Sequence, residues 1–357
     1  MNQGDISFIE TLGLELSPSS LEVSHWKIFP RNGSILMILP DQKIAFRQGL
    51  DLYSPQRKLA QTLVQTLKSI PSLRRFLKSL SVGLVSGGPV DCLLRETGFR
   101  LLGVLLGNPK QKERRALLLL EDEMGRKSVA KLGTTLDGVR KVACEISLLE
   151  GLNSEEADFF GVPPLRGNWG GETWRAFALD FFEVTPGSSL TQLEVVEVLE
   201  KWAAEERSSN FLRTSSWEGI AGQLTAAESE ISLRLELRSS LRHGDFAPWN
   251  ILRTADGDPM VIDWEFGLEN DVPAWDLVHY LLLEADLVER REPADSLERT
   301  VGILKREDRM QEFLKFTGWV GQEQLLVKSY LFSMGDQLPQ FAPFLDSAIL
   351  LSPASPK

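Results

Sequence analysis

Between Thr97 and Gly133 three apolar runs of strand length are set apart by polar, turn-forming stretches. "GFRLLGVLLG" leads through "NPKQKERR" to "ALLLLE", and "DEMGR" leads on to "KSVAKLG". Runs this short, closed at each end by Asn, Pro, Gly or Asp, read as an antiparallel meander. A helix follows, "LDGVRKVACEISLLEGL" (136–152). After an irregular piece rich in Pro and Gly comes a fourth strand, "TWRAFALDFF" (173–182). Beyond "EVTPGSSL" the period changes. "LTQLEVVEVLEKWAAEE" combines good helix formers with apolar spacings of three and four, and most of the chain beyond it is helical. The chain thus passes from a sheet-rich to a helix-rich block near residue 185.

Upstream, residues 24 to 50 alternate short apolar runs with turn signals such as "PRNG" and "PDQK", as a small strand-and-turn unit does. In "QRKLAQTLVQTLKSIPSLRRFLKSL" (56–80), Leu59, Leu63 and Leu67 recur at helical spacing, and Pro71 starts a second segment carrying Leu73, Phe76, Leu77 and Leu80. The window holds six Lys or Arg and no acid. It either turns those charges to water over a leucine face or lies against an anionic membrane or a partner. "SVGLVSGGPVD" (81–91) reads as a linker. The 357 residues suffice for two domains, or for one with an extension. The expected organisation is an accessory α/β module over 1–90, a sheet-rich lobe over 91–184 and a helical lobe over 185–357.

Charge and cysteine usage exclude several function classes. A net charge of −11 argues against general binding to a nucleic-acid backbone, which needs a positive footprint. Cys92 and Cys144 lie far apart, without the spacing of a disulfide framework or a zinc cluster, and fit a reducing compartment. The opening "MNQGDISFIETLGLELSPSS" has no basic n-region, so it is not an ordinary secretory signal. "ILMIL" (35–39) and "ALLLL" (116–120) are too short to cross a bilayer. A cytoplasmic protein is expected.

The chemistry gathers in "LRHGDFAPWNIL" (241–252) and the nearby "MVIDWEFG". "AP" at 247–248 breaks any helix, so Asp245 and Asn250 sit on a short loop. "ILR", the turn "TADGDP" and "MVI" read as a hairpin, whose closure brings Asn250 and Asp263 side by side. A carboxylate and an amide oxygen that converge suit Mg²⁺, which takes oxygen ligands and shares its shell with phosphates. Asp245 is left free to accept a hydroxyl proton.

"HGDFAPWN" resembles the H-G-D-x-x-x-x-N catalytic loop of aminoglycoside phosphotransferases, choline kinases and related small-molecule kinases, and "IDWEFG" resembles their form of the D-F-G element. The resemblance spans about residues 97 to 340 and leaves the first 90 outside. It implies a two-lobe, protein-kinase-like α+β fold that uses ATP and Mg²⁺. His243 and Asp245 then form the catalytic loop, with His243 hydrogen-bonding the loop near Asp263. Lys131 in "SVAKL" matches the lysine that meets nucleotide phosphates, and Glu145 on the next helix is placed to pair with it. "FALDFFEVTPGSSL" resembles the hinge that holds adenine, with contacts between Phe181 and Thr185, among them Phe182, Glu183 and Val184. Asp276 in "PAWDLVHY" matches the Asp that follows the metal loop, read as a loop anchor, and His279 is read as a core or interface residue. The chain departs from the pattern between its first two kinase-like strands. Instead of G-x-G-x-x-G it has Gly103, Gly107 and "NPKQKERR", so amides after Gly107, aided by Lys110 or Lys112, are left to grip phosphate.

Residues 241 to 300 hold 14 Asp or Glu against five Lys or Arg, whereas 91 to 145 hold 11 basic against eight acidic residues. That asymmetry suits an anionic nucleotide on the first lobe and a cationic or polyhydroxyl acceptor on the second; it equally suits a solvated helical surface. The expected activity is transfer of the γ-phosphoryl group of ATP to a hydroxyl of a small molecule such as an aminoglycoside, amino-alcohol or sugar. The alternative is a nucleotide-binding pseudokinase scaffold that docks through 56–80 on a membrane surface or a protein.

Overall fold

The computed structural model describes residues 3–16, 24–53, 58–153, 160–183, 190–204, 216, 219–220, 222–335 and 341–348. The chain divides into two compact units, Met1–Glu150 with Pro164–Phe181 and Gly151–Pro163 with Phe182–Lys357. The first is sheet-rich and the second mainly helical, an α+β arrangement as expected.

The first unit contains, in chain order, α1 (Gln3–Thr11), β1 (Leu14–Leu16), β2 (Ser24–Arg31), β3 (Ser34–Pro40), α2 (Lys43–Gly49), a 3-10 turn at Leu50–Leu52, α3 (Lys58–Ser69), a second 3-10 turn at Pro71–Phe76 and β4 (Ser79–Leu84). There follow α4 (Pro89–Thr97), β5 (Arg100–Leu106), β6 (Arg115–Glu121), β7 (Lys127–Gly133), α5 (Leu136–Leu152), β8 (Leu165–Gly170) and β9 (Arg175–Asp180). The nine described strands join one antiparallel sheet in the order β1-β4-β2-β3-β5-β6-β7-β9-β8. The meander read from the sequence is β5–β6–β7, in which Leu118 pairs with Val104 on one side and Ala130 on the other. Its second turn closes because Asp122 Oδ1 accepts the amides of Met124 and Arg126, each at 2.9 Å, while Gly125 supplies a φ of 79°.

Two stretches differ from the sequence reading. Residues 81–91 are not a linker: they hold the end of β4 and the start of α4, and a Cβ on Gly88 would sit 2.8 Å from the Gly13 Cα. Glycine there serves a close backbone crossing and not flexibility. The irregular piece before residue 173 contains the edge strand β8, "LRGNWG", whose glycines and register shift between Leu165 and Gly167 hide the alternation. No chain break marks residue 90 either. Met37 and Ile38 of β3 pair with Leu105 and Val104 of β5, so the early strands extend the later sheet.

Both faces of this sheet are covered. α1 and α4 set Ile9, Leu12, Val90 and Leu93 against Val104, Leu118, Ala130 and Ala178. A register shift between Leu101 and Gly103 turns Leu102 to the opposite face, where Leu119 and Ala45 are buried with Leu52, Val129 and Phe181 packed against them. α2 reaches this face only because Gly49 and Gly103 have no side chains. A Cβ on Gly49 would lie 2.6 Å from the Leu102 carbonyl oxygen, and one on Gly103 2.9 Å from Leu39.

In the second unit the described helices α6 (Gln192–Ala204), α7 (Ala226–Ser232), α8 (Pro273–Leu283), α9 (Pro293–Arg306), α10 (Asp308–Thr317), α11 (Glu323–Gly335) and α12 (Ala342–Ala348), with a π-helical turn at Glu284–Val288, accompany two small antiparallel pairs. These pairs are β10 (Ser240–Arg242) with β13 (Leu268–Asp271) and β11 (Ile251–Arg253) with β12 (Pro259–Val261). α6 buries Val195, Leu199 and Trp202, and the Trp202 ring lies 5.4 Å from Phe246 and 5.2 Å from Trp264. The segment 241–267 therefore rests on an aromatic bed.

Candidate active site

Strand β10 ends at Arg242, which is buried in an ion pair with Asp271 at 2.8 Å. The chain then turns sharply at Gly244, whose φ is 81° and whose Cβ, if present, would lie 2.5 Å from the Phe266 carbonyl oxygen. Only glycine fits. His243 is fully buried, with its ring 4.7 Å from that of Trp264. Its Nε2 donates to the Ile262 carbonyl at 3.0 Å and its Nδ1 accepts the Asp245 amide at 3.2 Å. Burial pushes the His243 pKa down against the pull of Asp276, Asp245 and Asp263, which keeps the ring neutral. In this geometry His243 ties the loop to the strand before Asp263.

Helix α8, opened by Pro273 at its first turn, fixes the same loop from below. Asp276 accepts the His243 amide at 2.6 Å and the Gly244 amide at 2.9 Å, the anchoring expected of it. Burial raises its pKa, opposed by Arg242, His243 and those two amides. One turn further on, His279 places Nε2 3.0 Å from Asp245 Oδ1, and its Nδ1 lies 2.7 Å from the Tyr330 hydroxyl. From the sequence His279 reads as a core residue; the structure puts it against Asp245. The signal lay in the spacing, since residues three apart on a helix share a face and Asp276 already pointed at the loop.

Asp245 is partly exposed, as a proton acceptor for a substrate must be. Asn250 is buried and donates Nδ2 to the Asp245 carbonyl at 2.8 Å and to Asp245 Oδ2 at 3.0 Å. That orientation leaves its Oδ1 as the atom available to a cation. The hairpin closes: Ile251 pairs with Val261, and the Ile262 amide donates to the Asn250 carbonyl at 2.9 Å, with Asp263 the next residue along the chain. Asp263 takes a left-handed φ of 70°, a conformation found at few non-glycine positions. Among the described residues no three His, Cys, Asp or Glu cluster as a metal cage. An amide oxygen with one carboxylate is instead the sparse donor set that suits Mg²⁺ sharing its shell with phosphates.

In the first unit Lys131 Nζ lies 2.8 and 2.6 Å from the two oxygens of Glu145, whose side chain is 1% exposed. Strand β7 and helix α5 thus bring together the two residues singled out. Val129, two residues back along β7, shares the face of Lys131 and packs in the Leu102–Leu119 cluster with Phe181. The Phe181 amide is used in the sheet, donating to the Lys127 carbonyl at 3.2 Å, and its ring lies 5.3 Å from Lys127 Nζ. Phe182 is half-buried and Glu183 exposed, while Val184 and Thr185 lie outside the described residues. Gly107 does not offer a free amide: its N–H donates to the Arg115 carbonyl at 2.8 Å, and a Cβ there would lie 2.5 Å from the same oxygen. Gly107 closes the hairpin, and exposed Lys110 and Lys112 follow it.

Residues 172–313, which carry β9, the loop 243–250, the hairpin 251–261 and α8, match the family model APH, phosphotransferase enzyme family. Over those residues the chain is similar to that family. The matched span holds Asp245, Asn250, Asp263, Asp276 and His279 and stops short of Lys131 and Glu145. No curated protein matches the chain. Similar solved structures include an aminoglycoside phosphotransferase from Alicyclobacillus acidocaldarius, at 15% identity and TM-score 0.37, covering 66% of this chain and 85% of that one. A macrolide 2'-phosphotransferase from Brachybacterium faecium has 16% identity and TM-score 0.43, with coverage of 74% and 98%. An ethanolamine kinase from Plasmodium vivax has 13% identity and TM-score 0.37, with coverage of 71% and 82%. No described helix is long and apolar enough to cross a membrane.

Proposed function

We propose that the protein transfers the γ-phosphoryl group of ATP to a hydroxyl of a small molecule. The observation that carries this reading is the arrangement of one loop and one hairpin. Asp245 is held by Asn250 and His279, and the hairpin returns the chain to Asn250 at Ile262, the residue before Asp263. Asp245 orients the acceptor hydroxyl and takes its proton as the hydroxyl oxygen bonds to the γ-phosphorus; the bond to the β-phosphate oxygen breaks and ADP leaves. Asn250 and Asp263 are the residues that would hold Mg²⁺, which when bound neutralises phosphate charge. Lys131, fixed by Glu145, supplies a positive charge for the nucleotide phosphates, and the described hinge residues Phe181, Phe182 and Glu183, with Val184, border the base. The excess of acids over 241–300 supports a cationic or polyhydroxyl acceptor, an aminoglycoside, amino-alcohol or sugar. The setting is cytoplasmic.

A second reading, a nucleotide-binding scaffold without turnover, is favoured by one observation. The α2 segment sets Ala45 and Leu52 against the sheet face that carries Val129, over the end nearest Phe181. Its docking surface would be the basic stretch 56–80, where Leu63, Ile70 and Phe76 are exposed and Arg75 stacks 4.9 Å from the Phe76 ring. Release of ADP from MgATP with a panel of aminoglycoside, choline, ethanolamine and sugar acceptors separates the two. Turnover that Asp263→Ala abolishes, with the fold retained by circular dichroism, supports the phosphotransferase. Nucleotide binding without acceptor-dependent ADP release supports the scaffold.

A further inference from the structure

Helix α8 grips the catalytic loop twice on one face. Asp276 takes two backbone amides, and His279 takes the side chain of Asp245. Since a carboxylate can only accept, the Nε2 of His279 must carry the proton between them. Tyr330 on α11 determines which nitrogen that is. Burial, reinforced by Asp245 and Asp276 and opposed by Arg242, lifts its pKa well above the ordinary value, so the phenol keeps its hydrogen and donates it to His279 Nδ1. His279 and Tyr330 are 1% and 0% exposed, and Phe341 encloses them with its ring 5.6 Å from His279 and 5.9 Å from Tyr330. The bond from Tyr330 to His279 is thus shielded from water.

We propose that His279, held in one tautomer by Tyr330, is the positioning residue of Asp245: with Asn250 on the other oxygen it stops rotation of the carboxylate and gives its remaining lone pairs a single direction. Asn250 reaches Oδ2 from the loop at 3.0 Å and His279 reaches Oδ1 from the helix at 3.0 Å, one bond to each oxygen. A base so fixed meets the acceptor hydroxyl in a productive geometry at no further ordering cost. The proposal rests on the phosphotransferase reading above.

Kinetics and nitrogen-15 NMR test it together. The chain has three histidines, so a sample labelled at histidine gives three ring spin systems, and His279→Gln identifies the relevant one. The expected spectrum has His279 protonated at Nε2, with the Nδ1 resonance moving in Tyr330→Phe. ADP release is measured with MgATP and the panel acceptor that the wild type turns over fastest, or with water if none is used. His279→Leu is expected to lower kcat about 10- to 100-fold, as for partners that orient an active-site ligand, with KM for ATP and acceptor within about twofold. His279→Gln, which keeps a donor, is expected to recover part of the loss, and Tyr330→Phe to show the same split in milder form if His279→Leu folds poorly. In an Asp245→Asn background His279→Leu is expected to cost nothing more. Wild-type kcat in His279→Leu alongside an inactive Asp245→Asn overturns the positioning role and leaves the phosphotransferase reading standing. So does a further loss in the double variant, or Nδ1 protonation in the wild type. Equal turnover by wild type and Asp245→Asn removes the phosphotransferase reading, and this proposal with it.

Discussion

The loop at 243–250 and the hairpin loop at 107–114 are of similar length, yet the chain holds them by opposite means. The first is held by its own neighbours: His243 bonds to Ile262, Asn250 to Asp245, and Asp276 and His279 reach it from the helix that follows. The second is held from far along the chain. Arg114 donates to the Gly107 carbonyl at 3.0 Å and, at the same time, forms a buried ion pair at 2.7 Å with Asp5 in α1, 109 residues away. A motif appears in a sequence when the partners that fix it are encoded beside it. A loop braced by a distant residue carries no such local signature.

The sharpest way to break this contrast is to change Asp245, the base in the proposed reaction. Asp245→Asn is expected to lower kcat by about 10²–10⁴-fold while leaving KM for ATP and the melting temperature nearly unchanged, because its neighbours still hold the loop. A large drop in melting temperature would show that Asp245 is structural. Lys131→Met acts on the other unit and removes the ammonium group that pairs with the 1%-exposed Glu145. A buried ion pair broken on one side costs about 3–5 kcal/mol. Chemical denaturation should show that loss, and Lys131→Met/Glu145→Gln should restore stability without restoring turnover. If the double variant regains turnover, Lys131 serves only the fold.

Legibility followed the same division. The meander, the helix after it and the hairpin at 251–261 were plain because period and turn chemistry agree within each segment. The pair Lys131–Glu145 was visible because a strand and the next helix bring them together whatever the rest of the chain does. The role of His279 was obscured by its apolar helix, "WDLVHYLLLEADL", in which a buried histidine looks like packing. The extension of the sheet by β1–β4 was hidden because pairing across 66 residues, Ile38 with Val104 at its edge, leaves no trace in local spacing. Asp5 was unreadable for the same reason. Asp5→Ala is expected to cost about 3 kcal/mol, at the lower end for a broken buried pair because Arg114 keeps the Gly107 carbonyl and its stacking on Phe8. If the 107–114 loop grips phosphate, KM for ATP should also rise in Asp5→Ala; an unchanged KM at a temperature where the variant is folded would assign that grip elsewhere.

Gly49→Ala tests the crossing of α2 over β5, again a long-range fit with no sequence motif. The added methyl would lie 2.5 Å from the Leu39 side chain and 2.6 Å from the Leu102 carbonyl oxygen, and the backbone oxygen cannot move aside cheaply. Overpacking of this kind costs about 1–3 kcal/mol. Thermal melts should show the loss, and because Leu52 follows within the same turn, nucleotide affinity should change with it if the segment borders the base. An unaltered melting temperature would mean that α2 is held less closely than the contact at Gly103 indicates.

The smallest effect returns to the locally held loop, through His243. Burial sets its folded-state pKa below the ordinary 6.5, whereas the unfolded chain titrates near that value. The unfolded state therefore binds more protons as pH falls below about 6.5, and by linkage the stability this residue contributes is present above that pH and lost as pH falls toward the folded-state pKa. One proton can impose a slope of at most about 1.4 kcal/mol per pH unit. Between pH 7.5 and 5.5 the melting temperature of the wild type should fall with this sign. In His243→Gln, which cannot titrate but still offers a donor to the Ile262 carbonyl, the slope should flatten even if the absolute stability is lower. Equal slopes in the wild type and His243→Gln would place the proton uptake on carboxylates and leave the neutral state of the His243 ring to be measured by NMR.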